Sequence, residues 1–111
     1  MMQVDTEVQD GVTVLRPHGR LTMVTAPELR KVVADTVGSG QARVVVDLSS
    51  TEFMDSSGLG ALIAGLKTAR QAGGDLRIAG LGPQVATVLQ LTNLDRVLRP
   101  HGSVAEALRA W

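Results

Sequence analysis

The 111-residue chain contains no cysteine, and that absence excludes disulfides, thiol nucleophiles, zinc–thiolate sites and iron–sulfur clusters together. Aromatic residues are nearly missing: one Phe, one Trp and no Tyr leave nothing on which to stack a run of bases. Excess charge of either sign is missing too, since eleven basic and eleven acidic residues give a formal net charge of zero and a pI near 6.7. Nothing in that balance attracts a phosphate backbone or an anionic bilayer, so neither nucleic acid nor membrane is expected as a partner. The longest uninterrupted non-polar run, Leu59 to Leu66, is eight residues with two glycines among them, far short of the roughly 20 that span a membrane. The opening Met1-Met2-Gln3-Val4-Asp5-Thr6-Glu7 has neither a basic n-region nor an apolar h-region, so no secretory signal is expected and the location is read as cytoplasmic.

What is present fits one globular domain over residues 1–111. The length lies within the usual ~100–150 residues of a domain. A hydrophobic fraction of 44% with 20% charged residues supports a single core rather than disorder. Neutral charge and the lack of a large aromatic patch are compatible with a monomer or a weak dimer.

The pattern along the chain is that of an α/β fold. Residues 2–9 alternate, with Val4, Thr6 and Val8 against Gln3, Asp5 and Glu7, as a half-buried strand does. Asp10-Gly11 is a two-residue hairpin signal, and Val12–Leu15 forms the return strand. Thr25-Ala26-Pro27-Glu28 reads as a capping box opening a helix, with Leu29, Val32, Val33 and Val37 as its apolar stripe and Gly38-Ser39-Gly40 as its stop. Arg43–Leu48 is a β-branched run of the kind found in a central strand covered on both faces. After a loop, Leu59, Leu62, Ile63 and Leu66 recur at helical spacing until Gly73-Gly74. Leu76–Ala79 predicts a strand, Pro83 to about Asn93 a helix, Arg96–Arg99 a last edge strand, and Ser103 the cap of a closing helix. Crossover helices imply a mixed, mostly parallel sheet of about five strands with an N-terminal hairpin, and about four helices.

Chemistry concentrates in Phe53-Met54-Asp55-Ser56-Ser57-Gly58-Leu59-Gly60, after the carboxyl end of the central strand and at the start of a helix. Sites in open α/β sheets lie at such loops, and free N–H groups with the positive end of the dipole favour anionic groups there. Two accounts fit these residues. In one, Asp55 or Ser56 caps the helix and Gly58 lets the chain turn. In the other, a serine is modified, and a phosphate of about −1.5 to −2 charge changes the surface without unfolding the domain. The small residues Gly60, Ala61, Ala64, Gly65 and Thr68 allow close approach either of a partner or of a neighbouring helix in the same domain. Catalysis finds little support. Gly-x-Ser-x-Gly, the P-loop and the dinucleotide fingerprint are absent, and His18 and His101 have no company that suggests a triad or metal site. Gly80-Leu81-Gly82-Pro83 is a turn into a helix, and no cofactor is expected.

The segment Asp55-Ser56-Ser57-Gly58-Leu59-Gly60, following the strand Val44–Leu48, closely resembles the signature of the STAS domain in bacterial anti-sigma factor antagonists. Gly19-Arg20-Leu21, Thr25-Ala26 and Leu29 resemble that family's loop and first-helix pattern, and Leu89 with Leu91-Thr92-Asn93-Leu94-Asp95 resembles the segment before its last strand, so the resemblance covers nearly the whole chain. It implies a non-enzyme whose unphosphorylated form binds an anti-sigma factor with serine kinase activity and thereby frees a sigma factor. It implies further that the kinase phosphorylates the serine after the motif's aspartate, here Ser56, which abolishes binding, and that a PP2C-type phosphatase restores it. Ser57 is then expected to cap the helix. The partner surface implied comprises Met54, Asp55, Ser57, Gly58, Leu59 and Gly60 around the serine, Ala61 and Ala64 along the helix, and Thr22 in the facing loop. Many relatives carry Asp at the position of Thr22, and loss of that carboxylate would alter kinase recognition or mark a paralogue with another partner. A second reading keeps the fold but makes the chain a scaffold subunit of a sensory or transport complex, with no phosphoswitch. A small nucleotide hydrolase has no supporting base, metal site or phosphate loop.

Overall fold

Period-two burial along the central strands decides the architecture. The computed structural model describes residues 2–111; Met1, which the sequence reading places within the domain, lies outside the described residues. Strands β1 (Val4–Gln9) and β2 (Val12–Pro17) form the expected hairpin, in register from Val4↔Pro17 to Gln9↔Val12. Its turn is made by Asp10 and Gly11 at φ 54° and 78°, the left-handed pair that matches the twist of the flanking strands. Strands β4 (Arg43–Asp47), β6 (Asp75–Ala79) and β7 (Pro100–His101) add in parallel, giving the order β1-β2-β4-β6-β7. Helices α1 (Ala26–Gly38), α2 (Ser56–Gln71), α3 (Pro83–Leu91) and α4 (Val104–Arg109) complete the fold.

Alternate residues of β2, β4 and β6 point to two separate cores. Leu15, Val44, Val46, Leu76 and Ile78 join Leu29, Val33, Leu62 and Leu66 of α1 and α2 in the larger one. Val12, Val14, Val45 and Ala79 meet Ala107, Val104, Leu108 and Trp111 in the smaller one under α4. The central strand is therefore covered on both faces, as its composition predicts. Trp111 closes the edge of that smaller core, with the Arg77 guanidinium 4.0 Å from its ring centroid.

Four local expectations are corrected. β1 is not half-buried along its length: Val4 packs on the core, but Thr6 and Val8 are exposed, because this edge strand contacts mainly its hairpin partner. Thr25 is the N-cap residue of α1 without a side-chain cap bond. Its hydroxyl instead donates to Arg20 O (2.7 Å) and accepts from Thr22 N (2.9 Å), while the Glu28 carboxylate accepts from Met2 N, so no capping box forms. The stretch Arg96–Arg99 is not a strand. Asn93 adopts a left-handed conformation and Leu94–Arg96 wind into a 3-10 turn. The Val97 and Leu98 amides both donate to Leu94 O, and Leu98 is driven into the core, so the edge strand starts only at Pro100. Finally, the loop between β4 and α2 contains a strand, β5 (Thr51–Met54), paired in parallel with β3 (Gly19–Leu21) as a separate two-stranded sheet.

No helix among the described residues is long and apolar enough to cross a membrane.

Candidate functional site

The small β3–β5 sheet positions the serine-bearing helix. It is fastened at one end by Gly19 N donating to Ser50 O and by the Thr51 hydroxyl donating to Pro17 O, both inside the domain. At the other end the Gln84 side chain of α3 brackets Met54: its Oε1 accepts from Met54 N at 2.8 Å and its Nε2 donates to Met54 O at 2.9 Å. A side-chain amide thus takes the place of a neighbouring strand. Asp55 N donates to Leu21 O at 3.2 Å, which ties the start of α2 to the end of β3.

Below this sheet the loop from β4 is anchored by Asp47. Its Oδ2 accepts from Arg16 Nε at 2.9 Å and its Oδ1 from Ser49 N at 3.0 Å. Burial pushes the Asp47 carboxyl up, but the Arg16 guanidinium and the Ser49 amide outweigh it, and the group lies below the usual aspartate range. The same pair raises Arg16.

Capping of α2 is performed by Asp55, whose Oδ1 accepts from Ser57 N (2.9 Å) and Gly58 N (3.1 Å). Asx geometry of this kind satisfies two of the first-turn donors. Ser56 is therefore the first helical residue rather than the cap; it is exposed, and its hydroxyl has no hydrogen-bond partner among the described residues. Ser57 lies within the first turn, half-buried, and does not cap the helix as the family resemblance suggests.

Beside Ser56 runs a groove of about 360 Å³ lined by Met23, Ala26, Pro27, Arg30, Ser57 and Gly60. Its rim includes the loop before α1, where Met23 and Val24 are large apolar side chains 74% and 79% exposed among the described residues. Thr22 holds that loop: its hydroxyl accepts from Val24 N at 3.3 Å and its carbonyl from Ala26 N at 2.7 Å. Arg20 stacks on Phe53 of β5, 4.3 Å from the ring centroid, on the same small sheet.

The structure divides the nine residues expected at the partner surface. Thr22, Asp55, Ser57, Gly60 and Ala64 are partly accessible. Met54, Gly58, Leu59 and Ala61 are buried inside the domain and present no side chain to a partner. Gly58 packs against the Leu21 backbone and Met54, and Gly65 lies where a Cβ would meet Leu76 and Val33 at 3.0 and 3.1 Å. Ala61 and Gly65 of the small-residue face thus serve packing inside the domain, Gly65 between α1 and β6. Sequence reasoning missed β3, Gln84 and the exposed Met23-Val24 pair. The pair sits within a Thr-rich loop whose turn gives no periodic signal, and nothing local marks Gln84 as a strand mimic.

The model of the STAS domain family matches residues 3–107. The chain is 28% identical over 108 residues to an anti-sigma F factor antagonist of Paenibacillus polymyxa, covering 96% of this chain and 92% of that protein. It is similar to the crystal structure of an anti-sigma factor antagonist from Mycobacterium paratuberculosis, with 31% identity, TM-score 0.89, and 99% and 93% of the two chains covered. A Thermotoga maritima structure aligns with TM-score 0.90 at 30% identity, over 96% of this chain and 92% of that one.

Proposed function

Since the chain belongs to the STAS domain family, we propose that residues 1–111 act as one STAS module, a cytoplasmic anti-sigma factor antagonist controlled by phosphorylation of Ser56. The unphosphorylated form binds an anti-sigma factor that is also a serine kinase, releasing a sigma factor; phosphate on Ser56 ends the complex, and a PP2C-type phosphatase renews it. The protein is then substrate and ligand rather than enzyme. The relatives named as anti-sigma factor antagonists support the general role.

One observation carries the switch: Ser56 is the exposed first residue of α2, its hydroxyl has no partner among the described residues, and Asp55 rather than Ser56 caps the helix. A phosphate added there meets the positive end of a helix, worth roughly 0.3–1 kcal/mol at an exposed position, which offsets part of the repulsion from Asp55. The fold persists while the groove rim gains about two negative charges. Met23 and Val24 supply apolar contact area for the partner, and Thr22, Ser57, Gly60 and Ala64 frame it. Charge placed at that rim removes binding by desolvation cost and repulsion.

Affinity capture from the native lysate with Ser56→Ala and Ser56→Asp baits, read by mass spectrometry, tests this. The alanine bait is expected to retain an ATP-binding, kinase-like protein, and the aspartate bait to retain it about tenfold less or weaker, a difference of ~1.4 kcal/mol. Equal retention of the same proteins by both baits would sink the switch and leave a constitutive scaffold.

A further inference from the structure

Lifting of residues 96–99 away from the sheet opens a second cavity. β7 pairs with β6 only at Ile78 and Ala79, so the β6 edge from Asp75 to Arg77 borders a cleft instead of a strand. The cleft measures about 470 Å³, inside the roughly 300–1,000 Å³ range of small-molecule sites. Arg70, Arg77, Arg96 and Arg99 all line it, and Asp75 is its one carboxylate among the described lining residues. A chain of zero net charge thus gathers four of its eleven cations around one recess.

Asp75 is already shared between two of them, 3.2 Å from Arg70 Nε and 3.5 Å from Arg77 Nε. Arg96 and Arg99 make no ion pair among the described residues. Arg77 stacks its guanidinium on Trp111, and its Nη1 is enclosed by the domain, out of a soluble ligand's reach. Like charges gathered around one recess repel unless an anion joins them. Guanidinium forks are permanently charged and match phosphoryl oxygens two at a time.

We propose that this arginine cleft binds a small soluble polyanion of the polyphosphate or phosphate-ester class. The recess accommodates a compact ligand rather than the plane of a bilayer. It is also remote from the serine. Arg70 stands in the last turn of α2 and Ser56 in the first, about 21 Å apart along the axis at ~1.5 Å per residue. The cleft and the serine are therefore separate sites, and this inference does not rest on the antagonist reading.

The test is an NMR titration of the whole 15N-labelled chain with inorganic pyrophosphate, at an ionic strength held constant with chloride. Saturable shifts confined to residues 75–77 and 96–101 are expected. Arg96→Gln with Arg99→Gln, both exposed positions, should weaken binding by tenfold or more, while Ser56→Ala titrates like the unsubstituted chain. Non-saturating or scattered shifts, or an undiminished affinity in the double variant, would overturn the proposal. So would co-sedimentation with phosphatidylglycerol vesicles by a chain whose spectrum pyrophosphate leaves unchanged.

Discussion

A Cβ added at Gly58 would stand 2.8 Å from Leu21 Cγ and 3.0 Å from Met54 Cγ, and it would press on the Leu21 carbonyl oxygen. That oxygen accepts from Asp55 N, so it cannot retreat without releasing the start of α2. Alanine in a helix gains up to about 1 kcal/mol over glycine, but overpacking against fixed backbone costs typically 1–3 kcal/mol. Gly58→Ala is therefore expected to destabilise the domain by about 1–2 kcal/mol, measured as a lower midpoint in urea unfolding. At Gly60 the same change has the opposite sign, because its Cβ would meet only the end of the flexible Arg30 side chain, at 3.4 Å. Gly60→Ala should leave the midpoint unchanged or raise it. If both substitutions shift it alike, helix propensity rather than packing governs these glycines.

Among the elements, β5 is the one whose existence depends most on its neighbours. Four residues long, it has one strand partner, β3, and borrows a second from the Gln84 amide. Gln84→Ala removes both bonds and leaves the Met54 amide and carbonyl without their partners in a nearly buried place, a loss of roughly 1–3 kcal/mol. Hydrogen exchange is expected to quicken at Met54 and Asp55 more than in β4 or β6; uniform quickening would mean that α3 itself, rather than this bracket, is failing. The helix that follows begins where the motif places it, yet the cap is the aspartate and not either serine. Both residue types cap well, and the choice was made by the extended backbone at Asp55, at φ −104° and ψ −174°, which β5 imposes.

At the scale of the whole molecule, Arg16 and Asp47 join β2 to β4 and hold the loop that leads toward the serine. Because the Asp47 carboxyl ionises more readily in the folded chain than in the unfolded one, it contributes stability above the ordinary aspartate range. That contribution fades as acid protonates it, below about pH 4. Unfolding midpoints measured from about pH 6 downward should fall more steeply in the unsubstituted chain than in Asp47→Asn, which lacks the titrating group. Parallel curves would show that the pair contributes nothing to acid stability.

Much of this was readable in order along the chain. Val44, Val45 and Val46, branched and apolar on every position, require cover on both faces whatever their neighbours are. Asp10-Gly11 demands a left-handed turn, and the stripes of Leu29–Val33 and Leu59–Leu66 demand a core to face. Local composition and periodicity thus determined the alternation of strands and helices in the five-stranded sheet, the hairpin and the serine motif at a helix start, though not the small β3–β5 sheet. They could not determine contacts between distant segments. Arg96–Arg99 has the look of an edge strand, but the Val97 and Leu98 amides are taken by the Leu94 carbonyl and the Leu98 side chain by the core, leaving an arginine-lined cleft. The small residues Ala61 and Gly65 suit a partner or a neighbouring helix equally in the sequence, and only the fold buries them, with Val33 of α1 and Leu76 of β6 against Gly65. Gln84, Met23 and Val24 gain their places only when α3, β3 and β5 meet. Periodicity reports which side of an element must be buried; what buries it, and which polar groups are left over, is decided by packing across the fold.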